Sequence, residues 1–173
     1  MTTDFRQRPE FKLGRSGERR VADFLQEKGF YVIPSYDYSG EDDDKAPRMQ
    51  GKKTVYVIPD LDICRAGLRQ WVEVKTKTRA THYRKTDQLQ HGIDERHFAA
   101  YRAVQAESGC EVFLAIYELT PRPVVLVASI DDLDGLVDHH GTSNGSRMLY
   151  WDRRVFREYD LPTEVCDGTD PND

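Results

Sequence analysis

Hydrophobic and polar positions change period several times along the chain, and each change predicts an element. Val21, Ala22, Phe24 and Leu25 recur at helical spacing, which predicts a helix from Gly14 to a stop at Gly29, with an irregular arm over residues 1–13. Residues 30–36 read as a strand. Residues 37–53 hold Gly, Pro, Ser and four consecutive acids (Glu41 to Asp44) without any period, which predicts a long loop. Two β-type runs follow, 55–63 and 70–77, around a turn at Ala66-Gly67. Residues 78–92 are polar and basic. A helix is expected over 94–108 with Gly109 ending it, then strands over 111–118 and 124–128. A short helix capped by Ser129 follows, then a loop over 139–146, a strand over 148–151 and an acidic tail. This order describes an α/β domain with a mixed sheet, expected as one domain over 1–157 with a disordered tail over 158–173.

The second β-type run alternates strictly. Val72 and Val74 point to one face, and Trp71, Glu73 and Lys75 to the other. Asp60 and Asp62 share a face of the preceding run, so antiparallel pairing brings carboxylates towards Glu73 and Lys75. Acids crowded this way repel each other, and a divalent cation relieves the repulsion. Glu18 has two readings: on the inward face of the first helix, or solvated in its first turn and favoured by the helix dipole.

Charge sharpens the picture. The net charge is −5, yet residues 158–173 carry six acids and no base, leaving 25 basic against 24 acidic residues elsewhere. Basic residues gather at Arg6, Arg8, Lys12, Arg15, Arg19 and Arg20, and again at Lys75, Lys77, Arg79, Arg84 and Lys85. Such segregation steers a polyanion to one surface. Three scattered cysteines exclude a disulfide framework and a Cys-x-x-Cys zinc site. No apolar run is long enough to span a membrane, and the first residues lack a signal-peptide core, so a cytoplasmic location is expected.

Pro59-Asp60 followed by Glu73-Val74-Lys75 resembles the PD-(D/E)xK nuclease superfamily. The preceding GRSGERRVADFLQEKGF resembles the first helix of its archaeal-type Holliday junction resolvases, with Glu18 and Gly29-Phe30 as the matching positions. The resemblance covers about residues 14–118. It implies a restriction-endonuclease-like three-layer α/β fold, a central mixed sheet flanked by helices. It also implies an Mg²⁺-dependent phosphodiesterase acting on DNA, with Mn²⁺ as a substitute. Asp60, Glu73 and Glu18 would ligate the metal, and Lys75 would orient or activate the attacking water. Removing Glu73 or Lys75 is expected to abolish cleavage with little loss of folding. Asp62 stands as a secondary ligand or a bystander.

Lys77, Arg79, Arg84 and Lys85 are the candidate DNA-backbone contacts, with Gln88 assigned to the start of the next helix near the metal. Tyr83 is expected to pack rather than stack on DNA, His91 to be a hydrogen-bonded structural residue, and His139-His140 to be solvent-exposed. The short helix and final strands are the candidate surface for a homodimer. The competing reading is a catalytically silent nuclease fold that binds nucleic acid.

Overall fold

The computed structural model describes residues 9–35, 48–51 and 54–161; the expected acidic loop at Glu41 to Asp44 lies outside them. Helix α1 spans Pro9–Glu27 and begins five residues before Gly14. Its first residue is proline, whose fixed φ suits the first helical position and whose missing N–H has no helical partner to lose there. Strand β1 (Tyr31–Pro34) follows. The expected run 55–63 divides at Pro59. Upstream, β3 (Val55–Val57) pairs with β2 (Arg48–Gln50); downstream, β4 (Leu61–Arg65) pairs with β1. Proline donates no ladder hydrogen bond, so the break falls there.

Strand β5 (Leu68–Lys77) forms the expected hairpin with β4. Both turn residues have positive φ, Ala66 at 51° and Gly67 at 81°, as a two-residue hairpin loop requires. The polar basic segment, expected to lead into a helix, is itself a hairpin of β6 (Thr81–Tyr83) and β7 (Gln88–Asp94). Helix α2 (Glu95–Ser108) is capped by the Asp94 carboxylate and ended by Gly109 at φ 66°. Strands β8 (Val112–Glu118) and β9 (Val124–Ser129) lead to α3 (Ile130–Asp134). The expected loop at 139–146 is mostly strand: β10 (His139–Ser143) turns at Asn144-Gly145 into β11 (Ser146–Asp152). Strand β12 (Arg157–Asp160) pairs with β9, so the sheet extends beyond the expected boundary at 157. Its acids are neutralised there, Glu158 by Arg122 and Arg153, and Asp160 by Arg122.

The central sheet has the order β1-β4-β5-β8-β9-β12, and β5 runs parallel to β8 while its other neighbouring pairs are antiparallel. Helix α1 covers one face, where Val21, Ala22, Phe24 and Leu25 meet Val72, Val74 and Ala115. The other face buries Trp71, Leu114 and Ile116 against α2, α3 and a second sheet, β10-β11-β7-β6. The architecture is therefore the expected three-layer α/β arrangement, with a small sheet added to one outer layer. No helix among the described residues is long and apolar enough to cross a membrane.

Candidate active site

The site is built on β5. Its period of two puts Val72 and Val74 under α1 and turns Glu73 and Lys75 to the opposite face. Glu73 is 3% exposed, and its carboxylate accepts a short hydrogen bond from the Lys75 ammonium. Leu61 pairs with Val72, so Asp60, one residue earlier, arrives opposite Glu73. Its carboxylate accepts the Val74 N–H at 2.8 Å. The turn before it is tied to the end of β1: the Ser35 hydroxyl donates to the Pro59 carbonyl at 2.6 Å, and the Ser35 N–H to the Asp60 carbonyl at 2.7 Å.

Glu18 comes from the other layer. Gly17 lets α1 approach β5 closely, since a Cβ there would lie 1.8 Å from the Thr76 hydroxyl oxygen and 3.2 Å from the Tyr117 ring. The next residue, Glu18, is carried to the edge of the site, where Arg15 stands 3.7 Å away. Of its two readings, the solvated first turn does not hold, since α1 begins nine residues earlier at Pro9. Alanine at Gly17 gains about 1 kcal/mol of helix propensity. It also forces the interlayer contact apart, at a cost of roughly 1–3 kcal/mol. Gly17→Ala is therefore expected to lower the melting temperature and weaken any reaction that needs Glu18, measured by thermal unfolding beside a cleavage assay.

The four side chains form one electrostatic unit. Burial pushes the Asp60 carboxyl well above its ordinary pKa, and the Glu73 charge adds to it against the pull of Lys75. Burial also raises Glu18, with Arg15 opposing and Glu73 reinforcing. For Lys75, burial opposes the charge, but Glu73 and Asp60 outweigh it and hold the ammonium above its usual value. Lys75 is thus a firmly protonated cation among acids.

The other expected residues separate. Asp62 is held by Arg69, with contacts of 2.5, 2.9 and 3.1 Å, so it is neutralised away from Glu73. Asp62→Asn is expected to leave any cleavage rate within about threefold of wild type, against a large loss for Asp60; parallel rate measurements check this. Lys77 continues the Glu73–Lys75 face, partly buried, and burial and Lys75 lower its pKa. Arg79 lines a cleft of about 600 Å³ with Arg122 and Arg153. Arg84 and Lys85 are exposed in the β6–β7 turn. Gln88 begins a strand rather than the expected helix and accepts from the Thr86 hydroxyl at 2.6 Å. Polar alternation over 88–94 conceals that strand.

His91 is structural as expected, 2% exposed and 2.7 Å from the equally buried Glu118, which Arg153 also holds. His139, expected in solvent, is stacked between Tyr83 and Tyr150. His97 was hidden in the sequence because its spacing with Ile93 and Tyr101 reads as a core stripe. It is exposed on the first turn of α2, and partial desolvation of its ring and the Lys75 ammonium lower its pKa while Asp94 and Glu73 oppose. Its ring therefore belongs to the electrostatic neighbourhood of the site.

The donor chemistry fits a hard divalent cation. Asp60, whose charge burial penalises, and the buried Glu73 offer carboxylate oxygens, and Mg²⁺ retains several waters, so a few protein ligands suffice. No three His, Cys, Asp or Glu side chains among the described residues converge into a ready-made ligand cluster. Glu73 turns instead to Lys75.

No protein-family model matches this chain, and no curated protein matches it in sequence. Its fold is similar to that of Hjc, a Holliday junction resolvase from the archaeal hyperthermophile Archaeoglobus fulgidus. The TM-score is 0.52 at 14% identity, over 83% of this chain and 91% of that one. D212, a nuclease from a fusselovirus, is similar with a TM-score of 0.46 at 14% identity, over 87% of this chain and 88% of that one. The chain therefore has a nuclease-type fold similar to that of an archaeal Holliday junction resolvase, the fold that its Pro-Asp and Glu-x-Lys motifs imply.

Proposed function

We propose that this protein is an Mg²⁺-dependent endonuclease that hydrolyses DNA phosphodiester bonds, Mn²⁺ serving as a substitute. The observation that carries the reading is the convergence of Asp60, Glu73 and Lys75 on one face of the central sheet, with Glu18 delivered from α1. Asp60 and Glu73 would hold the ion, with Glu18 completing the carboxylate set. The ion supplies an acidified water and neutralises charge on the scissile phosphate.

Each residue contributes something distinct. The Val74 N–H fixes the Asp60 carboxylate against β5, and the Ser35 contacts hold the turn that carries it. Lys75, kept protonated by its acids, orients the attacking water by hydrogen bonding and offsets negative charge developing on the phosphoryl oxygens. Its protonated state argues against a proton-accepting role before an ion binds. Lys77 would extend the positive face along the strand, with Arg84 and Lys85 on the exposed hairpin turn as backbone contacts. The fold resembles one that acts on Holliday junctions, which makes branched DNA a substrate to test first; repair, restriction-like or phage-type cutting of duplex DNA follows from the same chemistry.

One observation favours a second reading, a nuclease fold that binds DNA without cutting: no three-ligand cluster is preassembled among the described residues. A panel of supercoiled, linear and four-way DNA with Mg²⁺ or Mn²⁺ separates the two. Cleavage of any member, lost on chelation, supports the endonuclease. Binding without cleavage of any member, in either metal, supports the second reading.

A further inference from the structure

The small sheet carries an aromatic arrangement that the proposed chemistry does not use. Tyr83, His139 and Tyr150 come from β6, β10 and β11, yet their rings stack nearly parallel. Tyr83 and His139 centroids are 4.1 Å apart at 11°, and His139 and Tyr150 are 4.7 Å apart at 5°. His139 is the middle rung. Tyr150 is seated where neighbouring strands have no side chains: a Cβ at Gly92 would come 2.6 Å from its ring, and one at Gly141 2.8 Å. The stack thus stands on a bare stretch of sheet, with Tyr83 as its far rung. The His139 Nδ1 is buried with no hydrogen-bond partner among the described residues; the nearest carboxylate, that of Asp138, is 3.6 Å away and also accepts from Gln90. Ring faces, more than ring nitrogens, hold this histidine.

We infer that the Tyr83–His139–Tyr150 stack is a platform for an unpaired nucleobase of the DNA substrate. Aromatic rings accept a base by continuing the stack, whatever its identity, and such sites pair rings with cations that follow the backbone. Both components are present, since Tyr83 is half-buried and the next residues, Arg84 and Lys85, are exposed cations. His82 beside them is engaged with Asp87 at 2.7 Å, which leaves the two basic residues as the cationic flank of the turn. The inference rests on the endonuclease reading and narrows its substrate: DNA carrying unpaired or displaced nucleotides is preferred over uninterrupted duplex.

Fluorescence anisotropy in EDTA tests it, using a labelled duplex with a three-nucleotide bulge and the same duplex without one. The wild-type chain is expected to bind the bulged DNA about tenfold more tightly. Tyr83→Ala and Tyr83→Leu should both abolish that preference while duplex affinity stays unchanged, and Tyr83→Trp should keep it. Leucine retains an apolar contact with His139, so it guards against misfolding of the alanine variant, and melting curves accompany both. Equal wild-type affinity for the two DNAs, or an undiminished preference in Tyr83→Leu, overturns the inference. Duplex cleavage by the same wild-type sample with Mg²⁺ separates the two readings. If duplex is cut without any preference, the platform alone falls; if no DNA is bound or cut, the endonuclease reading falls with it.

Discussion

Asp60→Asn is expected to abolish DNA cleavage and, in the absence of metal, to make the protein more stable. The loss of rate should be at least about 10²-fold, because a catalytic ion contributes several kcal/mol of charge stabilisation. The gain in stability follows from the same carboxylate. Burial and the Glu73 charge raise its pKa against the attraction of Lys75, so ionising Asp60 in the folded chain carries a penalty. Asparagine has the same shape and can still accept the Val74 N–H, without that charge. A stabilisation of about 1 kcal/mol would raise the melting temperature by roughly 2–4 °C in a domain of this size.

The pH dependence has a definite sign. The folded pKa lies above the unfolded one, so the contribution of Asp60 is most favourable below the unfolded value near 3.9 and is lost as pH rises through the folded value. The advantage of Asp60→Asn in EDTA should therefore be largest at neutral pH and shrink on acidification, as Asp60 becomes neutral too. Melting curves of both proteins against pH measure this. Adding Mn²⁺ should raise the wild-type melting temperature and leave the variant unmoved.

Lys75→Ala is expected to remove cleavage and also to destabilise the fold, a larger folding loss than the sequence alone suggests. Glu73 is 3% exposed and its carboxylate is paired with the Lys75 ammonium, so alanine leaves a buried charge without its partner. Breaking a buried pair costs about 3–5 kcal/mol; because the Lys75 side chain is 30% exposed, the cost here should be about 2–4 kcal/mol. Adding Glu73→Gln to Lys75→Ala should restore much of the stability and none of the activity. Denaturant titration of the two single variants and the double variant measures the coupling. Additive destabilisation would mean that the pair seen here has little energetic weight.

These expectations turn on features of the sequence that differ in how openly they show themselves. The hairpin at Ala66-Gly67 and the alternation through Val72, Glu73, Val74 and Lys75 are local, and local geometry determines which face each residue takes. Asp60 is placed by the same register. The separation of Asp60 from Asp62 needs a partner, Arg69, seven residues away along the chain and adjacent only once the hairpin forms. Glu18 depends on an interlayer contact that spacing suggests but does not prove, and Gly17 supplies it. The small sheet is concealed in the sequence for another reason. Its strands THY, QLQHGID and HHGTS bury little apolar surface of their own, so they carry turn and loop chemistry in place of hydrophobic alternation. Asn144-Gly145, loop-like by composition, is the tight connection of a hairpin. His97 is masked because one helical stripe holds both core residues and an exposed ring that feels the charges of Lys75 and Glu73.

Asp60, Glu73 and Lys75 are proposed to act together on DNA with a divalent ion. Cleavage rates of wild type and Glu73→Gln, on the substrate cut fastest and over a range of Mg²⁺ concentrations, test it most directly. Metal-dependent cutting is expected of the wild type, with a loss of at least about 10²-fold in Glu73→Gln that added Mg²⁺ does not restore. Equal rates for the two proteins, or cutting by the wild type that persists in EDTA, would contradict it.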